Sequence, residues 1–220
     1  MKNFSPTELV RRVEHLLVRP DATRHDLEAL CAAARAQGSH AVCVCGSRVE
    51  FARSLLDDTK VRVTGLVGFP LGIADADANR YETEVAIDHG AHEIETVLNV
   101  GRLKDGEPHQ VLRELRDIAE AADERPVKVI LELSLLTPKE VRLACQLVLD
   151  SGAHCVCTGT GLRSAATIQD VQSLRAAVGE KFGVKAAGLT DVQTALALIA
   201  AGATRVGAAD GLVGLSDPVK

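Results

Sequence analysis

Helix-period apolar spacing and short β-rich runs alternate along the whole chain, and one motif marks the junction between them. It consists of Gly, a small residue, His or Thr, and then a β-rich run. The four copies are Gly38-Ser39-His40-Ala41-Val42-Cys43, Gly90-Ala91-His92-Glu93-Ile94-Glu95, Gly152-Ala153-His154-Cys155-Val156-Cys157 and Gly202-Ala203-Thr204-Arg205-Val206-Gly207. A helix-period segment precedes each copy, for example residues 26–37 and 192–201. Glycine ends helices in the left-handed conformation, so each copy reads as a helix stop feeding directly into a strand. Further β-rich runs occupy 61–67, 127–133 and 183–187, with a shorter one at 13–17. Thr137-Pro138-Lys139-Glu140 reads as a helix start, with a Thr cap and Pro in the first turn.

This alternation is the signature of βαβ units, and eight strands so spaced close a (βα)8 TIM barrel of class α/β. An open doubly wound sheet fits less well, because no G-x-G-x-x-G turn follows any strand. No linker or low-complexity stretch interrupts residues 1–220, so a single domain is expected.

Composition narrows the picture. Hydrophobic residues make up 46% of the chain but aromatic ones only 2%, so the core must be built from Ala, Val, Leu and Ile. The net charge is −5, with no Lys/Arg-rich run and few aromatic platforms, which argues against nucleic acid as a partner. No apolar stretch reaches the ~18–20 residues of a membrane span, and residues 1–6 carry no export signal. The expectation is a cytoplasmic protein without membrane association, whose six cysteines are reduced thiols.

The motif also aligns candidate chemistry. Cys43, Glu95, Cys157 and Gly207 each stand five residues beyond their glycine, and period-2 alternation sends equivalent positions to one face. Polar residues near the carboxyl ends of such apolar strands point into a barrel mouth. Run 127–133 adds Lys128 and Glu132, and run 183–187 adds Lys185. The candidate catalytic set is therefore Glu95, Glu132 and Lys185, with the Cys157 thiol. Lysine among carboxylates can be tuned for proton transfer or imine chemistry. The plain alternative is buried ion pairs, Lys128 with Glu132 and Lys185 with Glu95, that only fill the barrel. Two C-x-C pairs, Cys43/Cys45 and Cys155/Cys157, lack the C-x₂-C spacing of a zinc knuckle, so no metal or other cofactor is expected. His40, His92 and His154 fall at the amino ends of strands and read as structural.

Over nearly its whole length the chain resembles the deoxyribose-phosphate aldolase family. The resemblance rests on residues 15–23 (HLLVRPDAT), Val42-Cys43-Val44, residues 67–72 (VGFPLG), Glu93-Ile94-Glu95, Leu103-Lys104, residues 127–132 (VKVILE), residues 158–161 (TGTG), residues 184–188 (VKAAG) and residues 201–207. It implies a (βα)8 barrel, a lyase reaction at a C–C bond through a lysine imine without metal, and a homodimer. It also implies substrate contacts at Glu14, Leu16, Cys43, Thr158, Thr160, Gly188 and Asp210.

The departures fall on the chemistry. Where the family places its imine lysine, ahead of T-x-T-G, this chain has Cys157, and a thiol forms no imine. The family's E-I-D becomes Glu93-Ile94-Glu95, and its D-H-T becomes Glu14-His15-Leu16. Of the family's lysine pair only Lys185 is kept. The family's phosphate loops read Gly188-Leu189-Thr190-Asp191 and Gly207-Ala208-Ala209-Asp210-Gly211, where Asp210 would repel a phosphate. The expectation is an enzyme of the aldolase fold using acid–base chemistry on an unphosphorylated, greasier carbonyl compound, as in secondary metabolism. Condensation, cyclisation, dehydration and isomerisation all fit, since each removes a proton beside a carbonyl. An aldolase with its imine moved to Lys185, a non-catalytic binding barrel and a Cys157 nucleophile are the competing readings.

Overall fold

The computed structural model describes residues 6–213, apart from the side chains of Pro6, Thr7, Asp210, Gly211 and Val213. The expected substrate contact at the Asp210 side chain therefore lies outside the described residues. In chain order the elements are α1 (Pro6–Val10), β1 (Val13–Leu17), α2 (Arg24–Gln37), β2 (Ala41–Cys45), α3 (Val49–Leu56), β3 (Arg62–Val67), α4 (Ala76–Asp88), β4 (Glu93–Val97), α5 (Val100–Lys104), α6 (Pro108–Ala121), β5 (Val127–Ile130), α7 (Pro138–Asp150), β6 (Cys155–Cys157), α8 (Ile168–Val178), β7 (Gly183–Asp191), α9 (Val192–Ala200) and β8 (Arg205–Val213). Every strand pairs in parallel with the next, and β8 pairs with β1 (Gly207 opposite Glu14), so the sheet closes into an eight-stranded barrel.

Local sequence accounts for most boundaries. Thr23, Thr137 and Thr167 each cap a helix whose third residue, Asp26, Glu140 or Asp170, bonds back to the cap. The motif glycines Gly38, Gly90, Gly152 and Gly202 all have positive φ, between 70° and 118°. Outward-facing Val42, Val44, Val63, Ile94, Val129, Val156, Val184 and Val206 pack under Leu27, Ala52, Leu115, Val148, Leu174 and Leu198 of the helices. Burying such a side chain contributes about 1.5–3 kcal/mol.

Two strand ends differ from the sequence expectation. β5 stops at Ile130, because Glu132 adopts the left-handed conformation (φ 54°, ψ 64°) and turns the chain. β7 runs on past Ala187 to Asp191 and pairs with β8 through Leu189–Ala208 and Asp191–Val213.

Candidate functional site: a buried ion network in the barrel

Period-2 alternation fills the barrel interior, and its two halves differ in character. Leu16, Cys43 and Leu66 form one apolar cluster, and Val97, Ile130 and Cys157 another that reaches down to Cys155 at the amino end of β6. Half-buried Phe69, from the loop after β3, packs on both. Deeper lies a network of charges. Lys185 Nζ sits 2.5 Å from Glu95 Oε2 and 2.7 Å from Glu14 Oε2. Lys128 Nζ sits 2.7 Å from Glu14 Oε2, 3.1 Å from Glu93 Oε2 and 3.6 Å from Glu95 Oε2. It also donates to Thr64 Oγ1 at 3.3 Å. Glu93 reaches the amino-end rim, where Arg62 (2.6 Å) and His40 (3.2 Å) meet its Oε1.

A buried charge persists only when paired. Burial works against both ammonium groups, yet the surrounding acids outweigh it. Glu14 leads for Lys128; Cys43, Glu14 and Glu95 do so for Lys185, and both pKa values lie well above the usual lysine range. Burial likewise opposes ionised Glu14, and Lys128 and Lys185 overcome that and hold its pKa far below the carboxylate range. Burial pushes the Cys43 and Cys157 thiols well up, so both are neutral at pH 7. Cys43 donates to Glu14 Oε2 at 3.3 Å.

Gly207 makes room for this arrangement. A Cβ there would stand 3.0 Å from Lys185 Cε and 3.2 Å from Leu16 Cδ1.

Of the expected site residues, Glu95, Lys185, Glu14 and Cys43 come together in the network. Cys157 joins from the apolar half, pairing in register with Lys185 on β7 and Ile130 on β5. Leu16 lies in the neighbouring apolar cluster. The expected Lys185–Glu95 pair is present. The expected Lys128–Glu132 pair is not, because the turn at Glu132 carries its carboxylate away from the barrel axis, where Oε2 accepts from Thr160 N (3.1 Å) and Thr160 Oγ1 (2.8 Å). Thr158 Oγ1 is likewise occupied, accepting from Ala187 N at 3.2 Å. Gly188, with φ 81°, packs against the loop at 161–165, since a Cβ would lie 2.9 Å from Ala165 Cα. Thr158, Thr160 and Gly188 thus brace the loop after β6.

The two C-x-C pairs fall in different clusters, Cys43 and Cys45 on one side and Cys155 and Cys157 on the other. Among the described residues, the groups with metal-ligand geometry are Glu14–Cys43–Glu95 and Glu14–His40–Glu93. Both are threaded by Lys128 or Lys185, whose charge already balances the carboxylates.

Sequence reasoning missed the part played by Glu93 and the link from Lys128 to Glu14. The signal was available. Glu93 stands two residues before Glu95, and Lys128 two before Ile130, so both had to face inward.

A closed barrel of eight parallel strands, with lysines and carboxylates buried in its interior, defines a (βα)8 TIM barrel. The chain belongs to the DeoC/LacD family of aldolases, whose sequence description matches residues 11–215. It is 42% identical over 203 residues, 91% of each chain, to a deoxyribose-phosphate aldolase of Alkaliphilus oremlandii. It is 43% identical over 208 residues, 93% of each, to deoxyribose-phosphate aldolase 1 of Bacillus licheniformis. Among solved structures it superposes on the tetrameric deoxyribose phosphate aldolase of Aeropyrum pernix with TM-score 0.86 and 27% identity, covering 93% of this chain and 88% of that one. Among the described residues, no helix is long and apolar enough to cross a membrane.

Proposed function

We propose that this barrel is an aldolase-fold enzyme that moves a proton beside the carbonyl of an unphosphorylated compound without forming an imine. The observation that carries the proposal is Lys185. Its amine is wholly buried and clamped as an ammonium between Glu95 and Glu14, 2.5 and 2.7 Å away. A protonated amine has no lone pair to attack a carbonyl. Lys128, held by Glu14 and Glu93, is no freer. Cys157, where the family resemblance expects the imine lysine, is a neutral thiol. What remains is a carboxylate–ammonium pair under an apolar roof. Glu95 accepts a proton from carbon, and Lys185 stabilises the charge that develops. Phe69 packs on the apolar half from the loop after β3.

Two features favour a substrate without phosphate. The N-terminus of α9, a natural anion site, is already occupied by Asp191, whose carboxylate accepts from Thr194 N at 2.8 Å. Residues 188–191 belong to β7 rather than to an open loop of free N–H groups. The likeness to deoxyribose-phosphate aldolases along more than nine-tenths of the chain favours a second reading, cleavage of deoxyribose 5-phosphate through an imine on Lys185.

Borohydride trapping separates them. With deoxyribose 5-phosphate or a small aldehyde, the native protein should gain no reduced adduct on Lys185 by peptide mass spectrometry. Cys157→Lys should gain one at 157. A native adduct on Lys185, or cleavage of deoxyribose 5-phosphate by the native protein, defeats the proposal. Positively, the protein should exchange deuterium from D2O into carbons beside an apolar ketone's carbonyl, and Glu95→Gln should lose this while staying folded.

A further inference from the structure

The amino end of a TIM barrel is ordinarily the stability face. Here it holds a cavity of about 290 Å³ whose lining includes Glu14, His40, Arg62, Glu93, Lys128 and Arg205. Glu14 and Lys128 are also members of the buried network. From this cavity a chain of short polar contacts runs along the barrel axis: His40 to Glu93 at 3.2 Å, Glu93 to Lys128 at 3.1 Å, Lys128 to Glu14 at 2.7 Å, Glu14 to Lys185 at 2.7 Å and Lys185 to Glu95 at 2.5 Å. One carboxylate oxygen, Glu14 Oε1, is fully buried and has no hydrogen-bond partner, although Glu14 borders the cavity. A polar pocket of this size has room for water, and a lone acceptor beside it calls for a donor. Towards the carboxyl end, Leu16, Leu66, Val97, Ile130 and Phe69 are, among the described residues, the apolar groups that pack over the network.

We infer that the amino-end cavity is a proton port, exchanging protons between solvent and the buried Glu95–Lys185 pair from the face opposite the substrate mouth. The charged or titratable groups lining the port are Glu14 on β1, His40 before β2, Arg62 on β3, Glu93 on β4, Lys128 on β5, His154 and Cys155 at the start of β6 and Arg205 on β8, with Lys185 of β7 deeper in the network. The transfer balances without an oxidant or reductant. A proton taken by Glu95 passes to Lys185 as Lys185 gives one through Glu14 to Lys128, in a concerted shift that leaves both lysines charged and Glu14 ionised. Lys128 relays in the same way to Glu93, and His40 or cavity water releases a proton to solvent. No net charge is left inside, and a substrate sealing the mouth does not strand the proton. Arg205 makes no ion pair with a described carboxylate, and its NH1 donates to Thr204 O at 2.9 Å. It stands at the rim as the group best placed to be replaced by a plug.

The catalytic use of this port rests on the proton-transfer reading of Glu95 and Lys185. The exchange itself does not, and it is measured without substrate. In protein labelled with 15N-lysine, the ammonium hydrogens of Lys128 and Lys185 are followed by NMR as they exchange with water. Arg205→Trp, which roofs the cavity, and His40→Phe, which removes the imidazole, should each slow that exchange by about tenfold. Leu71→Trp, at an exposed position on the carboxyl-end loop after β3, should leave it unchanged. Unaltered rates in both port variants with native amide spectra overturn the inference, as does slowing by Leu71→Trp alone. Should Arg205→Trp fail to fold, His40→Phe decides, since Glu93 keeps Arg62 and Lys128. Failure of the Glu95→Gln deuterium test would refute the proposed chemistry and leave the port standing.

Discussion

Lys185 and Gly207 show how one residue's size sets another's charge. Among the described residues Lys185 is the largest fully buried side chain, and its ammonium has two carboxylates within 2.7 Å. Lys185→Met would leave Glu14 and Glu95 in the interior with only Lys128 to balance them. The expected loss is about 3–5 kcal/mol in urea unfolding, and a loss below 1 kcal/mol would mean that solvent already reaches the pair. Gly207→Ala should cost about 1–3 kcal/mol by overpacking against Lys185 and Leu16. Gly46→Ala is its control. A Cβ there meets only Glu82 Oε1 at 3.9 Å, so the midpoint should barely move. That Glu95, Lys185 and Cys43 face inward was readable from alternation alone. That Glu132 does not join them was not, because its left-handed turn is imposed by the Thr160 N–H and hydroxyl that its carboxylate must satisfy.

At the scale of elements, the four Gly-x-His/Thr copies turn out to be latches between strand pairs. The backbone N–H groups of His40, His92, His154 and Thr204 donate to Val13, Val63, Val127 and Val184 carbonyls. In three copies the side chain accepts in return: His92 Nδ1 from Val63 N, His154 Nδ1 from Val127 N and Thr204 Oγ1 from Val184 N. The fourth, His40, turns instead to Glu93 and the amino-end cavity. Reading these histidines as structural therefore fits His92 and His154 better than His40. His92→Ala should destabilise the barrel by about 1 kcal/mol through loss of a half-buried acceptor. His154→Ala should cost less, since water can reach the exposed His154 site; thermal unfolding of the pair would rank them. Equal losses would show that the latch acts through the backbone alone.

For the whole molecule the buried groups define a window of pH stability with two arms. Glu14 and Glu93 have folded pKa values held below the ordinary carboxylate value, so their contribution is complete above about pH 5 and is lost as pH falls. The thiols behave oppositely. Burial raises Cys145 to about 12 and moves Cys43 and Cys157 up as well. The folded state keeps these protons while the unfolded chain releases them above about pH 9, so stability falls as pH rises. For three buried thiols this amounts to about 4 kcal/mol by pH 10. Raised Lys128 and Lys185 add to the same arm above about pH 10.5. Urea midpoints between pH 4 and 10 should form a plateau with both edges sloping down. Replacing Cys145, away from the ion network, with Ala should flatten only the alkaline edge.

The sequence by itself determined the eight strands, the glycine helix stops, the Thr137 cap, the inward positions of Glu95, Lys185 and Cys43, and the cysteine ahead of T-G-T-G. Each follows from local backbone preference or from the strict alternation of a pleated strand. Only the tertiary structure decided which acid meets which base, that β7 continues as strand through residues 188–191, and that Glu14, Glu93 and Lys128 border a cavity at the amino end. Those outcomes depend on strand register and closure, which bring Glu14 beside Lys128 and Lys185 across more than a hundred residues, and no local pattern carries that information.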